Sequence, residues 1–332
     1  MSGGKDVIRI GSRGSRLALV QAEYVAEELR QQGFRVEIVR IRTTGDRIRN
    51  VPLSQLGGKG VFVKEIEEAL LRGEVQLAVH SLKDLPTELP EGLCLAAVPP
   101  RESPLDVLIV RRASCVGEGE SATPLDRLAM GAKVGTSSPR RAAQLLHLRP
   151  DLKMLPLRGN LDTRLRKLDS TSLDAIVVAA AGLHRLAEGI GFGTDDPSGA
   201  ILECPLLPEI CTPAAGQGAL GIEARNDDEA AMGAALSLQD VSARRCVEAE
   251  RAFLKALGGG CRVPIGALAE ETVSSLTLVG VICSIDGERL VRGRLVGQAT
   301  KPAELGIGLA EQLLRAGGGE IIRTVEQQLQ GP

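Results

Sequence analysis

The sequence predicts an α/β protein in which two parallel-sheet α/β domains face each other across a cleft and a C-terminal α+β domain follows. Three observations carry this. A strand, turn and helix succession runs through the first hundred residues, the same grammar returns from Lys133 without obvious sequence identity, and the pattern changes near Ser242. At 332 residues the chain is also too long for one ordinary core.

In the first region Val7 to Ile10 alternates as a strand, and Gly11-Ser12-Arg13-Gly14-Ser15 is a turn. Leu17 to Arg30 then sets Ala18, Ala22, Val25, Ala26 and Leu29 on one helical stripe, which Gly33 ends. Phe34, Val36 and Ile38 alternate in a second strand. A helix over about Val63 to Arg72 stops at Gly73 and feeds a strand from Val75 to Val79, which closes on His80-Ser81-Leu82-Lys83-Asp84. In the second region Lys133-Val134 enters Gly135-Thr136-Ser137-Ser138, and Pro139 suits the first helical turn because its missing N–H costs nothing there. Ala142 to Leu148 is helical and Met154 to Leu157 extended, while Asn160 is placed to cap a helix from Leu161 to Leu168. Asp174 to Ala181 is the apolar run of a strand buried on both faces. The Pro- and Gly-rich stretch from Gly191 to Gly218 reads as a connector. In the third region a helix through Arg244 to Leu257 breaks at Gly258-Gly259-Gly260-Cys261. Extended segments at Leu276 to Ser284 and Leu290 to Leu295 flank an Asp286-Gly287 turn, and a last helix begins near Pro302.

Composition narrows the function classes. Hydrophobic residues make up 43% and charged residues 25%, which excludes a disordered chain, and no run approaches a membrane span. Met1 to Asp6 is polar and gives neither an apolar signal region nor a transit segment, so a cytoplasmic protein is expected. The 7 cysteines are widely spread without C-x-x-C spacing and the 3 histidines are scattered, so no metal site is expected. A formal net charge of −2 supplies no bulk field for nucleic acid or an anionic membrane. Any basic function must be local.

Arginine supplies that function through position. In open α/β sheets ligands collect beyond the carboxyl ends of strands, beside helix N-termini. Arg13, Arg140 with Arg141, and Arg158 with Arg164 all fall in such turns. As a set they make an anion-binding cleft, since a guanidinium fork grips carboxylates in a bidentate way. For any one alone the lesser alternative is that it satisfies a local carboxylate such as Asp162. Gly57-Gly58-Lys59-Gly60 lacks the order of a phosphate loop and suits a mobile cover, or simply a flexible loop. Cys261 follows three glycines at a helix end, where a capping role for glycine and a buried inert thiol are the commoner outcomes. A helix C-terminus disfavours a thiolate, so reaction there needs a strongly electrophilic partner. Asp84 is either a turn residue before Pro86 or a carboxylate able to stabilise a developing cation.

These same stretches resemble the porphobilinogen deaminase family. They are Gly11-Ser12-Arg13, Thr43-Thr44-Gly45-Asp46, Gly57 to Glu65, His80 to Pro86, Val134 to Ser138, Arg140-Arg141, Leu157 to Asn160, Thr163 to Leu165, Ala181-Gly182-Leu183, Gly216 to Glu223, Glu250 to Phe253, and Gly259-Gly260-Cys261 with Val263-Pro264. The match runs nearly end to end. It implies a periplasmic-binding-protein-like pair of domains, 1–102 with 214–239 and 103–213, plus a third, 240–332, that carries a cofactor cysteine. The implied activity is the stepwise head-to-tail condensation of four porphobilinogens, with ammonia release, to hydroxymethylbilane. The implied cofactor is dipyrromethane bound covalently to Cys261. The resemblance assigns Asp84 as the catalytic carboxylate. It assigns Ser81, Lys83, Thr136, Ser137, Ser138, Arg140, Arg141 and Arg164 to the cofactor, and Arg13, Arg158, Arg185, Gln21, Phe62 and Gln217 to the substrate. It further implies a monomer that binds a small molecule and neither nucleic acid nor membrane.

The chain departs from the family pattern at Gly14 and Pro139, where larger side chains are usual, and in the length of Ala187 to Cys211. The chief alternative is a two-lobed binding protein for a small anionic solute without covalent chemistry. A nucleic-acid binder is disfavoured by the charge and by the scarcity of stacking aromatics.

Overall fold

The computed structural model describes residues 7–44, 63–116, 123–188, 201–258 and 263–330. The chain divides into two compact units, Met1–Glu102 with Gly218–Arg244, and Ser103–Gln217 with Arg245–Pro332.

The first unit is built on a five-stranded sheet. Its strands are β1 (Ile8–Arg13), β2 (Val36–Ile41), β3 (Leu77–Ser81), β4 (Leu93–Ala97) and, from the returning chain, β10 (Leu220–Arg225), in the order β2-β1-β3-β10-β4. β1 pairs in parallel with β2 and β3, whereas β10 lies antiparallel between β3 and β4. The sheet is thus parallel apart from one inserted strand. Helix α1 (Arg16–Gln31) and the short α6 (Glu229–Leu236) pack Ala22, Val25, Leu29, Ala231 and Ala235 over Ile10, Leu77, Val79 and Ile222. Helix α2 (Lys64–Leu71) covers the other face with Ile66 and Leu70 over Val75 and Ala78. The α1 stripe differs from expectation at its start. Ala18 is half-buried and Gln21 is buried instead, because its amide finds a polar partner in Ser81 at 2.9 Å.

The second unit holds a sheet of the same design, ordered β7-β6-β8-β5-β9. Its strands are β5 (Asp106–Arg111), β6 (Lys133–Gly135), β7 (Lys153–Leu155), β8 (Ala175–Ala179) and β9 (Ile201–Leu206). β6 pairs in parallel with β7 and β8, and β5 is the reversed strand. Both faces are covered, since Leu108, Val110, Ala175 and Val177 join one core and Val107, Ile109, Ile176 and Val178 the other. The expected connector from Gly191 to Gly218 is corrected here, because β9 lies within it. Proline masks the strand signal, yet Pro205 is admissible because β9 is an edge strand. Helices α3 (Pro139–Leu148), α4 (Leu161–Ser170) and α5 (Ala180–Glu188) follow β6, β7 and β8.

The same unit contains an antiparallel sheet of β11 (Ile265–Glu271), β12 (Ser275–Cys283) and β13 (Leu290–Gln298). The later part of α7 (Val241–Ala256), with α8 (Pro302–Leu313) and α9 (Gly319–Gln330), packs Phe253, Leu309 and Val325 against Leu276, Leu278 and Ile282. Gly280 makes room for the Phe253 ring, since a Cβ there would stand 2.5 Å from its Cζ. The β12–β13 turn reaches back to α3. His147 Nδ1 lies 2.8 Å from the Gly287 carbonyl, and Ala143, Val281 and Cys283 share a small core.

Gly287 has φ 78° and an added Cβ would meet the Ala143 carbonyl at 2.4 Å. Gly287→Ala is expected to destabilise the protein by about 2 kcal/mol or more, through strain and displacement of α3. Gly233 in α6 is exposed with nothing within 4 Å of an added Cβ. Gly233→Ala should therefore stabilise by about 0.5–1 kcal/mol, and urea unfolding of the two variants checks the opposite signs.

Candidate active site

In the first unit the candidate residues gather where β1 and β3, neighbours and parallel, reach their carboxyl ends. Gly11 keeps β1 close to its surroundings, because a Cβ there would touch Ile41 and Val75 at 3.1 Å. Buried Ser12 donates to the Ala18 carbonyl at 3.1 Å and Ser15 caps α1 by accepting from the Ala18 N–H at 3.4 Å. Half-buried Arg13 therefore ends a strand tied to the first turn of the following helix. On β3, Ser81 meets Gln21, and a single 3-10 turn, Leu82–Asp84, follows. The Leu82 N–H donates to the Ala219 carbonyl at 3.0 Å, and Leu82 and Leu85 are sunk in the core on either side of the polar pair. Gly221 permits this, since a Cβ there would stand 2.7 Å from Leu82 Cδ1. With both leucines anchored, Lys83 is half-buried and Asp84 exposed.

In the second unit the loops after β6 and β7 supply the set. Thr136 is buried, its N–H donates to the Leu155 carbonyl at 2.9 Å, and its Oγ1 accepts from the Ser138 N–H at 3.2 Å. Ser137 Oγ donates to the Leu157 carbonyl at 2.9 Å, and Ser138 is the N-cap of α3. Pro139 is the first residue of α3, as expected. After β7, Gly159 has φ 111° and Arg164 Nε donates to its carbonyl at 2.8 Å. Lys167 Nζ donates to the Arg158 carbonyl at 3.1 Å, so α4 grips the loop that carries half-buried Arg158. Asn160 holds the N-cap position of α4 but makes no side-chain capping bond; its carbonyl accepts from Thr163 and Arg164 instead. Arg185 is half-buried on α5.

Arg140 and Arg141 have a partner that the sequence reading missed. Asp106, fully buried at the start of β5, lies 2.7 Å from Arg140 Nη1 and 2.7 Å from Arg141 Nη2. Gln217, buried, donates its amide to the same carboxylate at 2.9 Å and to the Pro104 carbonyl at 2.7 Å. Arg140 also donates to the Thr212 carbonyl, and Arg141 to the Val177 carbonyl. Burial by itself would raise the Asp106 carboxyl, but the two guanidinium charges and the Arg140 and Gln217 hydrogen bonds outweigh it and hold it well below the usual range. Two cations against one anion leave a net positive charge at the N-terminus of α3. The missed signal is a lone acid opening the apolar run Asp106 to Val110, since an acid is seldom buried unpaired.

Phe62 and Cys261 lie outside the described residues. Among the described thiols, burial pushes those of Cys211 and Cys283 up to about 12, which makes them poor nucleophiles at neutral pH. Among the described residues no cluster of His, Cys, Asp and Glu could hold a metal ion, and no helix is long and apolar enough to cross a membrane.

Comparison with known proteins places these residues in context. A family model described as "Porphobilinogen deaminase, dipyromethane cofactor binding domain" matches residues 8–233, and "Porphobilinogen deaminase, C-terminal domain" matches residues 244–315. Curated porphobilinogen deaminases of Trichlorobacter lovleyi and Geobacter sulfurreducens are each 48% identical over 323 residues, covering 97% of this chain and 97% and 95% of theirs. That of Pelotomaculum thermopropionicum is 47% identical over 327 residues, covering 98% of both chains.

Asp106→Asn keeps the shape of the side chain but strands two buried guanidiniums, so a loss of about 3–5 kcal/mol is expected in equilibrium unfolding. Because the folded Asp106 carboxyl is held below its unfolded value, its contribution is present above the usual carboxylate pKa and is lost only as pH falls below it. The deficit of Asp106→Asn should thus be unchanged between about pH 6 and 8.

Proposed function

The chain belongs to the porphobilinogen deaminase family, and from that premise we propose that Asp84 is its catalytic carboxylate and Cys261 the residue that carries its dipyrromethane. Membership makes it a transferase of tetrapyrrole synthesis that uses a dipyrromethane cofactor and condenses porphobilinogen with release of ammonia. The alternative of an anionic solute-binding protein without covalent chemistry is not supported by that membership. A hydroxymethylbilane synthase acting as a cytoplasmic monomer, without nucleic acid as partner, is the finer reading we propose.

The single observation that carries the Asp84 assignment is its setting. It is an exposed carboxylate beside half-buried Lys83, on a turn pinned by two buried leucines at the carboxyl edge of a sheet. Porphobilinogen's amine is already protonated near neutral pH. Ammonia therefore leaves when the pyrrole nitrogen pushes its electrons outward and becomes positive. A carboxylate that accepts the pyrrole N–H stabilises that charge, and can take up a proton when the next carbon–carbon bond forms.

The donor set also fits the cofactor, because each pyrrole carries two carboxylate arms. Lys83, Ser81, Thr136, Ser137, Ser138 and Arg164 would hold those arms, and the net positive charge of Arg140 and Arg141 over Asp106 would favour them at the α3 N-terminus. When bound, the dipyrromethane supplies a primer with a free pyrrole position for chain growth. Arg13, Arg158 and Arg185 would bind substrate carboxylates, with Phe62 covering the site. Gln21 and Gln217 suit a positioning role better than the direct substrate contact the resemblance implies, since their amides are engaged by Ser81 and Asp106. Cys261 needs no acid-shifted thiol, because the electrophile it meets is a reactive azafulvene.

Cys261→Ala should abolish attachment, whereas Cys283→Ala should leave it intact. Intact mass and peptide mapping read this directly, and an adduct on another cysteine would overturn the assignment. Asp84→Asn should fold and bind pyrroles yet lose at least about a hundredfold in rate, while Asp84→Glu retains more because its charge survives. Single-turnover ammonia release should fall together with coupling; near wild-type turnover by Asp84→Asn refutes the electrostatic role.

A further inference from the structure

Three titratable side chains of the first unit lie buried on β3, the strand that leads to Asp84, and on its neighbours α2 and β10, and have no part in the chemistry above. Glu67 comes from α2, His80 from β3 and Glu223 from β10, with exposures of 8%, 5% and 0%. His80 Nε2 stands 3.0 Å from Glu223 Oε2. Register explains the meeting. His80 is opposite Gly221 and Glu223 opposite Ala78, so both side chains share the sheet face that bears Ala78, the face α2 covers. Glu67 Oε1 and Glu223 Oε1 are buried and find no hydrogen-bond partner. An acid pair left half-satisfied in a core is costly, so the arrangement calls for an explanation.

Charge supplies one. Burial pushes the Glu67 carboxyl up to about 7, the Glu223 carboxylate adds to the rise, and His80 opposes it. The other ionisable groups on the strands packed against α2 are Arg9 and Arg13 of β1, Glu37 and Arg40 of β2, both exposed, Cys94 of β4 and Arg225 of β10. Arg9 is turned to Gln76 and the Gly73 carbonyl, and Arg225 to Asp227 and the Leu70 carbonyl. On α2 itself, Glu65 accepts from Thr44 and Glu68 pairs with Arg72, while Lys64 is exposed. Of the charged groups around it, Glu223 and His80 are the ones that shift Glu67, the first upward and the second downward.

We infer that Glu67, His80 and Glu223 form a positioning cluster that holds the end of β3, and with it Asp84, in working register, and that it does so only while Glu67 keeps its proton. Loss of that proton sets a second negative charge beside Glu223 in the core. The repulsion is relieved by moving α2 or by parting His80 from Glu223, and either displaces the strand whose next residues are Ser81, Lys83 and Asp84. The cluster acts through Asp84, so the inference rests on the reading of Asp84 as catalytic.

The test is the pH profile of kcat and KM for the holoenzyme and for Glu67→Gln, Glu223→Gln and Asp84→Asn. Glu67→Gln mimics the protonated acid and should move the alkaline limb of kcat to higher pH by about one unit, with KM little changed. Glu223→Gln should lower kcat about tenfold or more with KM changed less than about twofold, because substrate carboxylates are held elsewhere. Thermal unfolding supplies a readout independent of turnover. The folded Glu67 carboxyl is raised above its unfolded value of 4.5, so its contribution to stability is full below that value and is lost as pH rises through about 7. The Tm advantage of Glu67→Gln should therefore grow between about pH 5 and pH 8.5. A wild-type alkaline limb in Glu67→Gln, or a Tm difference that does not change with pH, overturns the cluster while an inactive Asp84→Asn leaves the catalytic reading standing. Full activity of Asp84→Asn removes the catalytic reading and the inference with it.

Discussion

One buried carboxylate organises the second unit. Asp106 opens the reversed strand β5, yet its two oxygens are claimed by Arg140 and Arg141 from the first turn of α3 and by the Gln217 amide. Unpaired, any of these charges would be expelled from a core; together they fix where β5 begins and how α3 leaves β6. Cys211 and the Thr212 carbonyl complete the enclosure, Cys211 through Asp106 at 3.3 Å and Thr212 through Arg140 at 2.8 Å. The arginines therefore serve the fold first. What remains for a ligand is one positive charge in excess, added to the N-terminus of a helix.

The two five-stranded sheets solve the same problem with different polar devices. In each, one reversed strand lies among parallel ones and brings a buried acid with it: Asp106 on β5, Glu223 on β10. Asp106 meets strong cations and stays ionised, whereas Glu223 meets one imidazole and a second acid. The first arrangement is stable over a wide pH range. The second is the one inferred above to depend on a single proton, and its His80 lies on β3, the strand that ends next to Asp84.

Small residues set the remaining geometry. Gly221 lets Leu82 sink beneath the Asp84 turn, Gly11 lets β1 pack tightly at the end where Arg13 projects, and Gly287 lets the β12–β13 turn approach α3. In each case the absent Cβ leaves room for a neighbouring group that positions a candidate residue, so the chemistry of the polar side chains depends on backbone contacts that carry no charge.

Local pattern was enough to read the parallel strands β1 to β3 and β6 to β8 with most of their helices, the three regions, the loops at Leu82 to Asp84, Thr136 to Ser138 and Arg158, and through resemblance the family. It left β4, β5, β10 and β11 unread, and β1 runs on through Gly11 to Arg13 where a turn is expected. Strand periodicity, helix stops at Gly33 and Gly73, and Pro139 at a helix start are short-range effects, legible wherever the chain writes them. Only the tertiary structure decided which strands are reversed, that Ile201–Leu206 is an edge strand despite Pro205, and that Asp106 and Glu223 lie buried beside partners far away in the chain. The Asp106 and Arg140 pair spans 34 positions, and the His80 and Glu223 pair 143. No local propensity encodes such pairings, because the free energy that selects them is the cost of leaving a charge unpaired in a core that exists only once the chain has folded.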